Sequence, residues 1–458
     1  MNTICAISTP AGVGGIAVIR VSGPDATTIC SSVFRSKKSL KEFKSHTAHY
    51  GTFTDADGND IDDCVVTTFI APHSFTGEDT VEIACHGSVY IQQSILKVLI
   101  ANGCRMAEPG EFTQRAFLNG KMDLVKAEAV ADLISSSNAA AHKVALNQMR
   151  GGISSELESL RGKLLDFTSL LELELDFSEE DVEFANRGQM LELLDTIKCK
   201  IEALTKSFNA GNAIKNGVGV AIVGETNAGK STLLNLLIGE ERAIVSDIHG
   251  TTRDTIEDTA VTDGYLFRFI DTAGIRETKD KIENIGIKRS LQTIEKANVV
   301  LWVIDCKNVN EHIDWMAGKI VPLCKDRSLV LVFNKSDLLP DDEIPTLENL
   351  FSDIDAPHIL ISAKHGRGIE NLKRQLISAA HLDSVQGDVV ITNMRHYEAL
   401  CNALSAIDRI KSGLDAGLSG ELVSMDLHDC LDALGSITGQ IHSQEVLNNI
   451  FSKFCIGK

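Results

Sequence analysis

The stretch Gly224-Glu225-Thr226-Asn227-Ala228-Gly229-Lys230-Ser231 decides the fold prediction. It matches the pattern G-x-x-x-x-G-K-[ST], follows the apolar run Val218–Val223 and precedes a helical pattern at residues 232–237. In that context, backbone N–H groups and a helix N-terminus form a cradle for phosphate groups. We therefore expect a P-loop, in which Lys230 reaches the β- and γ-phosphates and Ser231 binds Mg²⁺.

Three further boxes follow in order. Asp271-Thr272-Ala273-Gly274 comes directly after the strand-like residues 267–270, Asn334-Lys335-Ser336-Asp337 follows residues 329–333, and Ser362-Ala363-Lys364 ends another apolar run. We expect Asp271 to reach Mg²⁺ through water and the Gly274 N–H to contact the γ-phosphate. The Asp337 carboxylate can accept hydrogen bonds from N1 and N2 of guanine but not from adenine. Each short box alone is weak evidence, but together they indicate a P-loop GTPase.

The predicted nucleotide site is large, and its members share positions at strand ends or in loops. The candidate GTP-binding residues are Asn227, Ala228, Gly229, Lys230, Ser231, Thr232, Ser246, Asp247, Ile248, His249, Gly250, Thr251, Thr252, Asp271, Thr272, Ala273, Gly274, Asn334, Lys335, Asp337, Ser362, Ala363 and Lys364.

Composition limits what kind of protein this is. A chain of 458 residues with 43% apolar and 23% charged residues predicts a globular protein of two to four domains. The sequence has no apolar run long enough to span a membrane and no secretory N-terminus, and its 11 scattered cysteines indicate reduced thiols, so we expect a cytoplasmic protein. Its net charge of −19 means that any nucleic-acid contact needs a local basic patch or a partner.

Periodicity divides the chain into four segments. Residues 1–118 alternate strand-like runs with turns, which predicts a small α+β domain, and residues 119–212 carry apolar positions at helical spacing. Residues 216–380 alternate strands and helices, which predicts a parallel sheet covered by helices, and residues 381–458 are helical again. We predict that the two helical segments pack together, so that the GTPase (G) domain is inserted into an all-helical domain.

Two features distinguish the predicted site from that of Ras. Ile275 occupies the position after the D-x-x-G box where Ras uses a Gln to orient the attacking water, and no arginine finger is evident. The Asn227 side chain can instead help hold a monovalent cation such as K⁺ against the phosphates, where it would neutralise developing charge. The alternative is that Asn227 only shapes the loop. In the switch I region, Thr252 is the natural second Mg²⁺ ligand, and Thr251 with the carbonyls of Ser246 and Ile248 can complete a K⁺ site.

Several of these motifs together resemble the potassium-activated TrmE–Era–Der group of GTPases. Asn227, the loop Gly250-Thr251-Thr252-Arg253-Asp254 and the box ending in Ile275-Arg276 carry this resemblance. The stretches at residues 72–79 and 105–121, with the terminal Phe454-Cys455-Ile456-Gly457-Lys458, narrow it to the MnmE (TrmE) family over essentially the whole chain.

The resemblance implies a function on tRNA. Members of that family work with an FAD-dependent partner, MnmG (GidA), in a heterotetramer that installs an aminomethyl or carboxymethylaminomethyl group at C5 of the wobble uridine of certain tRNAs. It also implies a homodimer built by the N-terminal domain, which binds 5-formyl-tetrahydrofolate or a related folate. By position, Arg20, Glu82, Lys121 and Lys458 are the candidate folate residues, and Cys455 lines that pocket.

The resemblance also supplies a catalytic candidate. Glu283 lies twelve residues past Asp271, and the matching glutamate of the family orients the attacking water through a second water once two G domains pair. From the sequence alone, an exposed helical glutamate is the simpler interpretation. The alternative function is that of a GTP-switched ribosome-assembly factor of the Era or Der type. Such factors carry a KH-type domain or a second G domain, and this chain has neither a basic C-terminal GXXG signature nor a second P-loop.

Overall fold

The computed structural model describes residues 2–176, 187–239, 258–270, 293–309, 311–382 and 389–457. Within that part of the chain, the molecule divides into two compact units. Unit 1 comprises residues 1–131, 149–162 and 431–458, and unit 2 comprises residues 132–148 and 163–430. Among the described helices, none is both long and apolar enough to cross a bilayer.

Unit 1 is built around a mostly antiparallel sheet. Its strands lie in the order β3-β4-β5-β6-β2-β1-β7, with only the short β1–β7 pair parallel. From Cys64 to Phe69, strand β5 alternates buried side chains with exposed or half-buried ones, because one face of the sheet packs on the core. The strands are β1 (Ile4–Ile7), β2 (Gly14–Ser22), β3 (Phe34–Arg35), β4 (Thr47–Thr54), β5 (Asp60–Phe69), β6 (Thr80–Gly87) and β7 (Arg105–Met106).

Helices cover the apolar face of this sheet. Ile95 and Leu99 of one helix pack into a core with Ile19 and Ile83 of the sheet. The helices up to the G domain are α1 (Ala26–Val33), α2 (Val89–Ala101), α3 (Glu111–Leu118), α4 (Leu124–Ser135), α5 (Ala139–Met149), α6 (Gly152–Asp176) and α7 (Arg187–Asn216).

Unit 2 contains the predicted parallel sheet, in the order β13-β12-β11-β8-β10-β9. Only the β9–β10 pair is antiparallel. All six residues of β8 and all seven of β11 are buried, because helices lie on both faces of the sheet. The strands are β8 (Val218–Val223), β9 (Asp258–Thr262), β10 (Tyr265–Phe269), β11 (Val299–Asp305), β12 (Ser328–Asn334) and β13 (His358–Leu360).

The two predicted helical segments meet in unit 2. Helix α7 packs along a helix from the C-terminal segment, with the Lys198 Nζ to Asp408 Oδ1 ion pair at 2.6 Å between them. At Gly211, a side chain would collide with the carbonyl of Ile391, so the small residue permits close packing. The remaining helices are α8 (Lys230–Gly239), α9 (Glu311–Leu323), α10 (Ile344–Leu350), α11 (Ile369–Ala379), α12 (Met394–Asp415), α13 (Gly420–Thr438) and α14 (Gln444–Phe451).

The predicted fold class is confirmed. Along the chain, an α+β N-terminal part is followed by a helical segment, a helix-covered parallel sheet and a second helical segment. Local boundaries differ by a few residues. Helix α8 begins at Lys230 rather than at Thr232, and β13 ends at Leu360, so that Ser362 lies beyond the strand, in an isolated bridge with Arg367.

Candidate functional site

The P-loop leaves the carboxyl end of β8 and turns into α8. Gly224 has φ +146° and lies against the carbonyl of Val303, while Gly229 has φ +96° and lies against the Asn334 amide. A Cβ at either position would meet these neighbours well inside van der Waals contact. The two glycines therefore allow the loop to fold back closely enough for its N–H groups to surround a phosphate.

Lys230 is held inside the loop that it follows. Its ammonium donates to the carbonyls of Gly224 at 2.8 Å and Glu225 at 2.7 Å. Burial lowers the pKa of Lys230 to about 8, against a smaller opposing effect of the Glu225 charge. A phosphate at this position would restore a full counter-charge to the ammonium.

Asn334 connects the phosphate end of the site to its base end. It is 2% exposed, at the end of β12. Its Nδ2 donates to the Ala228 carbonyl at 2.8 Å, and its Oδ1 accepts from the Ala363 N–H at 3.0 Å. One amide thus fixes the P-loop and the Ser362-Ala363-Lys364 loop relative to each other.

The surroundings of Asp337 favour its ionised carboxylate, which accepts hydrogen bonds. The Ser362 hydroxyl donates to its Oδ1 at 2.5 Å, and His365 Nε2 lies 3.5 Å from its Oδ2. The Ser362 hydrogen bond is the main cause that holds the pKa of Asp337 below its usual value. An ionised carboxylate at this position matches the two N–H donors of guanine.

Part of the predicted site lies outside the described residues, so the structure says nothing of it. That part comprises Ser246, Asp247, Ile248, His249, Gly250, Thr251, Thr252, Asp271, Thr272, Ala273, Gly274, Ile275, Arg276, Glu283 and Lys458.

The structure describes two of the residues that were predicted to bind cations, Ser231 and Asn227. Ser231 is the second residue of α8, directly after Lys230, where its hydroxyl lies at the helix N-terminus. Asn227 is exposed, with φ +64°, and its side chain makes no hydrogen bond to any residue that the structure describes. Its amide oxygen is therefore available to a ligand at the mouth of the loop.

The folate candidates Arg20 and Glu82 lie directly opposite each other on β2 and β6. The Arg20 guanidinium bonds to Glu82 Oε1 through Nε at 2.9 Å and Nη2 at 2.8 Å. The guanidinium carbon also lies 5.5 Å from the ring centre of Phe75 and 5.6 Å from that of Phe112. The Arg20 cation is therefore held by the Glu82 carboxylate and by two aromatic rings, of which Phe112 is fully buried and Phe75 is half-buried.

Lys121 and the C-terminal tail contact two different loops of unit 1, which follow β5 and β1. The Lys121 ammonium donates to the carbonyl of Pro72, in the loop that carries Phe75. The Gly457 carbonyl accepts from the Ser8 hydroxyl at 3.2 Å, directly after β1. Cys455 is exposed, and its carbonyl accepts from the Gly110 N–H at 3.4 Å.

Sequence reasoning missed several residues around these sites. Asp305 is buried at the end of β11, and its carboxylate binds the Lys335 ammonium at 2.5 Å. Its position at the end of an apolar strand was an available signal that it lies near the nucleotide site. Near the folate candidates, buried Arg115 pairs with Glu78 at 3.0 Å and Glu111 at 2.9 Å. Glu111 and Arg115 are four residues apart on α3, a spacing that was an available signal for their pairing, whereas no sequence signal places Glu78, from a separate loop, beside them.

Comparisons with known proteins cover the whole chain. The family model described as "GTP-binding protein TrmE N-terminus" matches residues 3–121, and the model described as "MnmE helical domain" matches residues 124–455.

Curated relatives agree with these models. The tRNA modification GTPase MnmE of Bacteroides thetaiotaomicron is 54% identical, with 100% of this chain and 99% of the relative covered. The proteins of the same name from Parabacteroides distasonis and Flavobacterium johnsoniae are 54% and 51% identical, with 100% of this chain and 100% and 99% of the relatives covered. On this full-length agreement, together with the P-loop, the guanine box and the paired Arg20 and Glu82, the chain belongs to the MnmE family of tRNA modification GTPases.

Proposed function

We propose that this chain is a potassium-dependent GTPase that modifies the wobble uridine of certain tRNAs together with the FAD-dependent protein MnmG. The product carries an aminomethyl or carboxymethylaminomethyl group at C5, and a tetrahydrofolate supplies the one-carbon unit. The observation that carries the GTPase part is the junction at Asn334, which joins the phosphate loop to the guanine loop. The identity above 50% to tRNA modification GTPases supports the tRNA part.

We assign each segment a part in this function. Residues 1–118 bind the folate and form the homodimer, residues 216–380 bind GTP, and residues 119–212 with 381–458 form the helical domain. The Arg20–Glu82 pair suits a folate, because a pterin offers N–H donors to the carboxylate and the folate tail offers carboxylates to the cation. The half-buried ring of Phe75, beside Arg20, suits the flat pterin.

GTP hydrolysis in this proposal needs Mg²⁺ and K⁺. Ser231 and Thr252 would hold Mg²⁺, while Asn227, Ser246, Ile248 and Thr251 would hold K⁺, which supplies positive charge to the phosphates. Glu283 would position the attacking water. The exposed and unengaged Asn227 amide supports the K⁺ assignment.

Hydrolysis rates test the cation assignment. We expect GTP hydrolysis by the full chain to be at least tenfold faster in KCl than in NaCl at equal ionic strength. We expect Glu283→Ala to abolish hydrolysis while nucleotide affinity is retained, whereas Glu370→Ala, at a glutamate whose side chain is 75% exposed, leaves the rate unchanged. Equal rates in the two salts would refute the potassium assignment.

Nucleoside analysis tests the tRNA assignment. We expect total tRNA from cells that lack this protein to lose the modified wobble uridine, and the wild-type chain to restore it. An unchanged nucleoside profile would refute the proposed function and would favour the ribosome-assembly alternative.

A further inference from the structure

Unit 1 contains an open hollow of about 470 Å³ that shares no residue with the proposed GTP site and only Lys121 with the proposed folate site. It lies between the end of α3, the start of α4 and the turn that follows α13. Its walls include Phe117, Lys121, Lys126, Gln440 and His442. Its volume lies within the range of small-molecule sites and is large enough for one nucleoside.

One wall of the hollow is aromatic and rigid. The rings of Phe117 and His442 meet edge to face, with 5.3 Å between their centres. His442 Nδ1 donates to the Gly439 carbonyl at 2.7 Å, so Nε2 is the ring nitrogen left to accept a hydrogen bond. A side chain at Gly439 would meet the Phe117 ring at 2.8 Å, so the turn is held close to that ring. Such a wall suits a flat heterocycle.

The rim of the hollow offers neutral polar groups rather than net charge. The Lys126 ammonium is paired with Asp123 Oδ2 at 3.0 Å, and Glu158 adds a further carboxylate. The exposed Gln440 amide makes no side-chain hydrogen bond to any described residue. An amide has both a donor and an acceptor, and the O4–N3 edge of uracil has the complementary acceptor and donor.

The hollow adjoins the folate candidates through one residue. Lys121 lines the hollow, while its ammonium donates to the Pro72 carbonyl. Phe75, three residues further along the same loop, packs on Arg20. A ring bound in the hollow would therefore lie beside a residue that also contacts the loop next to Arg20.

We propose that this hollow receives the uracil ring of the substrate RNA after that base leaves its stack. The ring stacks on the exposed imidazole of His442, which Phe117 contacts edge to face, and the Gln440 amide reads its O4–N3 edge. Enzymes that act on a base in RNA or DNA extrude it into such a pocket, because the reacting atom is inaccessible in the stack. The proposal rests on the proposed tRNA function and adds the place where the base binds.

Photocrosslinking tests the placement directly. The probe is an anticodon stem–loop RNA with 4-thiouridine at the wobble position, bound to the full-length chain and irradiated, with crosslinked peptides identified by mass spectrometry. We expect crosslinks within residues 117–126 or 438–442. Crosslinks confined to other peptides would overturn the proposal.

Binding by paired variants gives a second readout. Gln440→Ala with His442→Ala should weaken stem–loop binding about tenfold, since a stacking contact of this kind has an effect of that order. The control His86→Ala removes an exposed histidine of the same unit, paired with Asp62, and should leave binding unchanged. Folate affinity and GTP hydrolysis should be unchanged in the double variant, which also shows that it is folded. Unchanged stem–loop binding, or an equal loss of folate binding, would overturn the assignment to the base.

Nucleosides from complemented cells separate this inference from the proposed function. If cells without the protein keep the wobble modification, the proposed function itself fails. If they lose it and the double variant restores it fully, only the base-binding role of the hollow fails. Loss in cells that carry only the double variant, with restoration by His86→Ala, would support both.

Discussion

Replacing Asn334 by Ala tests whether one buried amide holds the two halves of the nucleotide site together. The change removes the donor to the Ala228 carbonyl and the acceptor from the Ala363 N–H. Ala228 is 0% exposed and Ala363 is 3% exposed, so water cannot readily replace the lost partners. Leaving two buried backbone groups unpaired costs about 2–6 kcal/mol, at about 1–3 kcal/mol each.

The measurement needs no isolated domain. Both tryptophans of the chain, Trp302 and Trp315, lie on β11 and α9 of unit 2, so tryptophan fluorescence during urea unfolding reports on the sheet that carries Asn334. With a urea dependence of about 2 kcal/mol per molar, the expected loss lowers the midpoint by about 1–3 M. Affinity for a fluorescent guanine nucleotide should fall in parallel.

The matched control is Asn349→Ala. Asn349 is exposed on α10, and its side chain makes no hydrogen bond to any residue that the structure describes. The same chemical change should therefore shift the midpoint by less than about 0.3 M, because surface substitutions usually change stability by no more than about 0.5 kcal/mol. Equal midpoints and equal nucleotide affinities for the two variants would refute the argument that Asn334 links the loops.

Three further predictions concern single charges. The pKa of Lys230 is about 8 without a nucleotide, and bound phosphates favour the ammonium, so GTP affinity should fall up to about tenfold per pH unit above pH 8. Calorimetry in buffers of different ionisation enthalpy should show proton uptake on binding, and equal affinity at pH 7 and pH 9.5 would contradict this prediction. Asp337→Asn should weaken GTP binding by more than about a hundredfold and favour xanthosine triphosphate in competition assays, because two charge-assisted hydrogen bonds to guanine are lost. Retained preference for guanine would exclude this base-binding role of Asp337. Arg20→Met should weaken folate binding at least about tenfold in equilibrium dialysis, whereas the control Arg35→Met, at an arginine whose side chain is 61% exposed, should have little effect. Equal folate affinities for the two variants would remove Arg20 from the site.

The G domain is predictable from sequence because its determinants are local. A parallel strand buried on both faces must be a short, continuous apolar run, and β8 and β11 are such runs. The P-loop glycines are equally readable, since Gly224 and Gly229 have backbone angles and neighbours that exclude a side chain. Such features depend on a few adjacent residues, so no knowledge of long-range pairing is required.

The N-terminal site depends on strand register, which the sequence does not state. Arg20 and Glu82 are separated by 62 positions and meet only because β2 pairs with β6 at that register. Slipping either strand by one residue would turn one of the two side chains to the opposite face. The resemblance identified both residues, but nothing in the sequence predicted that they bond to each other or that Phe75 and Phe112 flank the cation.

The acidic composition leads to a last prediction about RNA binding. A net charge of −19 gives little general attraction for phosphates, so an RNA contact made by this chain should depend mainly on a shaped site. The charges that line the hollow balance, since Lys121 and Lys126 are accompanied by Asp123 and Glu158. Stacking does not depend on salt as phosphate contacts do.

Binding of the anticodon stem–loop to the full chain should therefore decrease only gently as KCl rises. If fewer than about three phosphates are neutralised, the slope of log K against log salt is shallower than about −2. A slope near −5 would instead require a basic surface that dominates binding, and the hollow would then contribute base selection but little affinity. The His442→Ala variant separates the two cases, because loss of a stacking contact lowers affinity at every salt concentration without changing the slope.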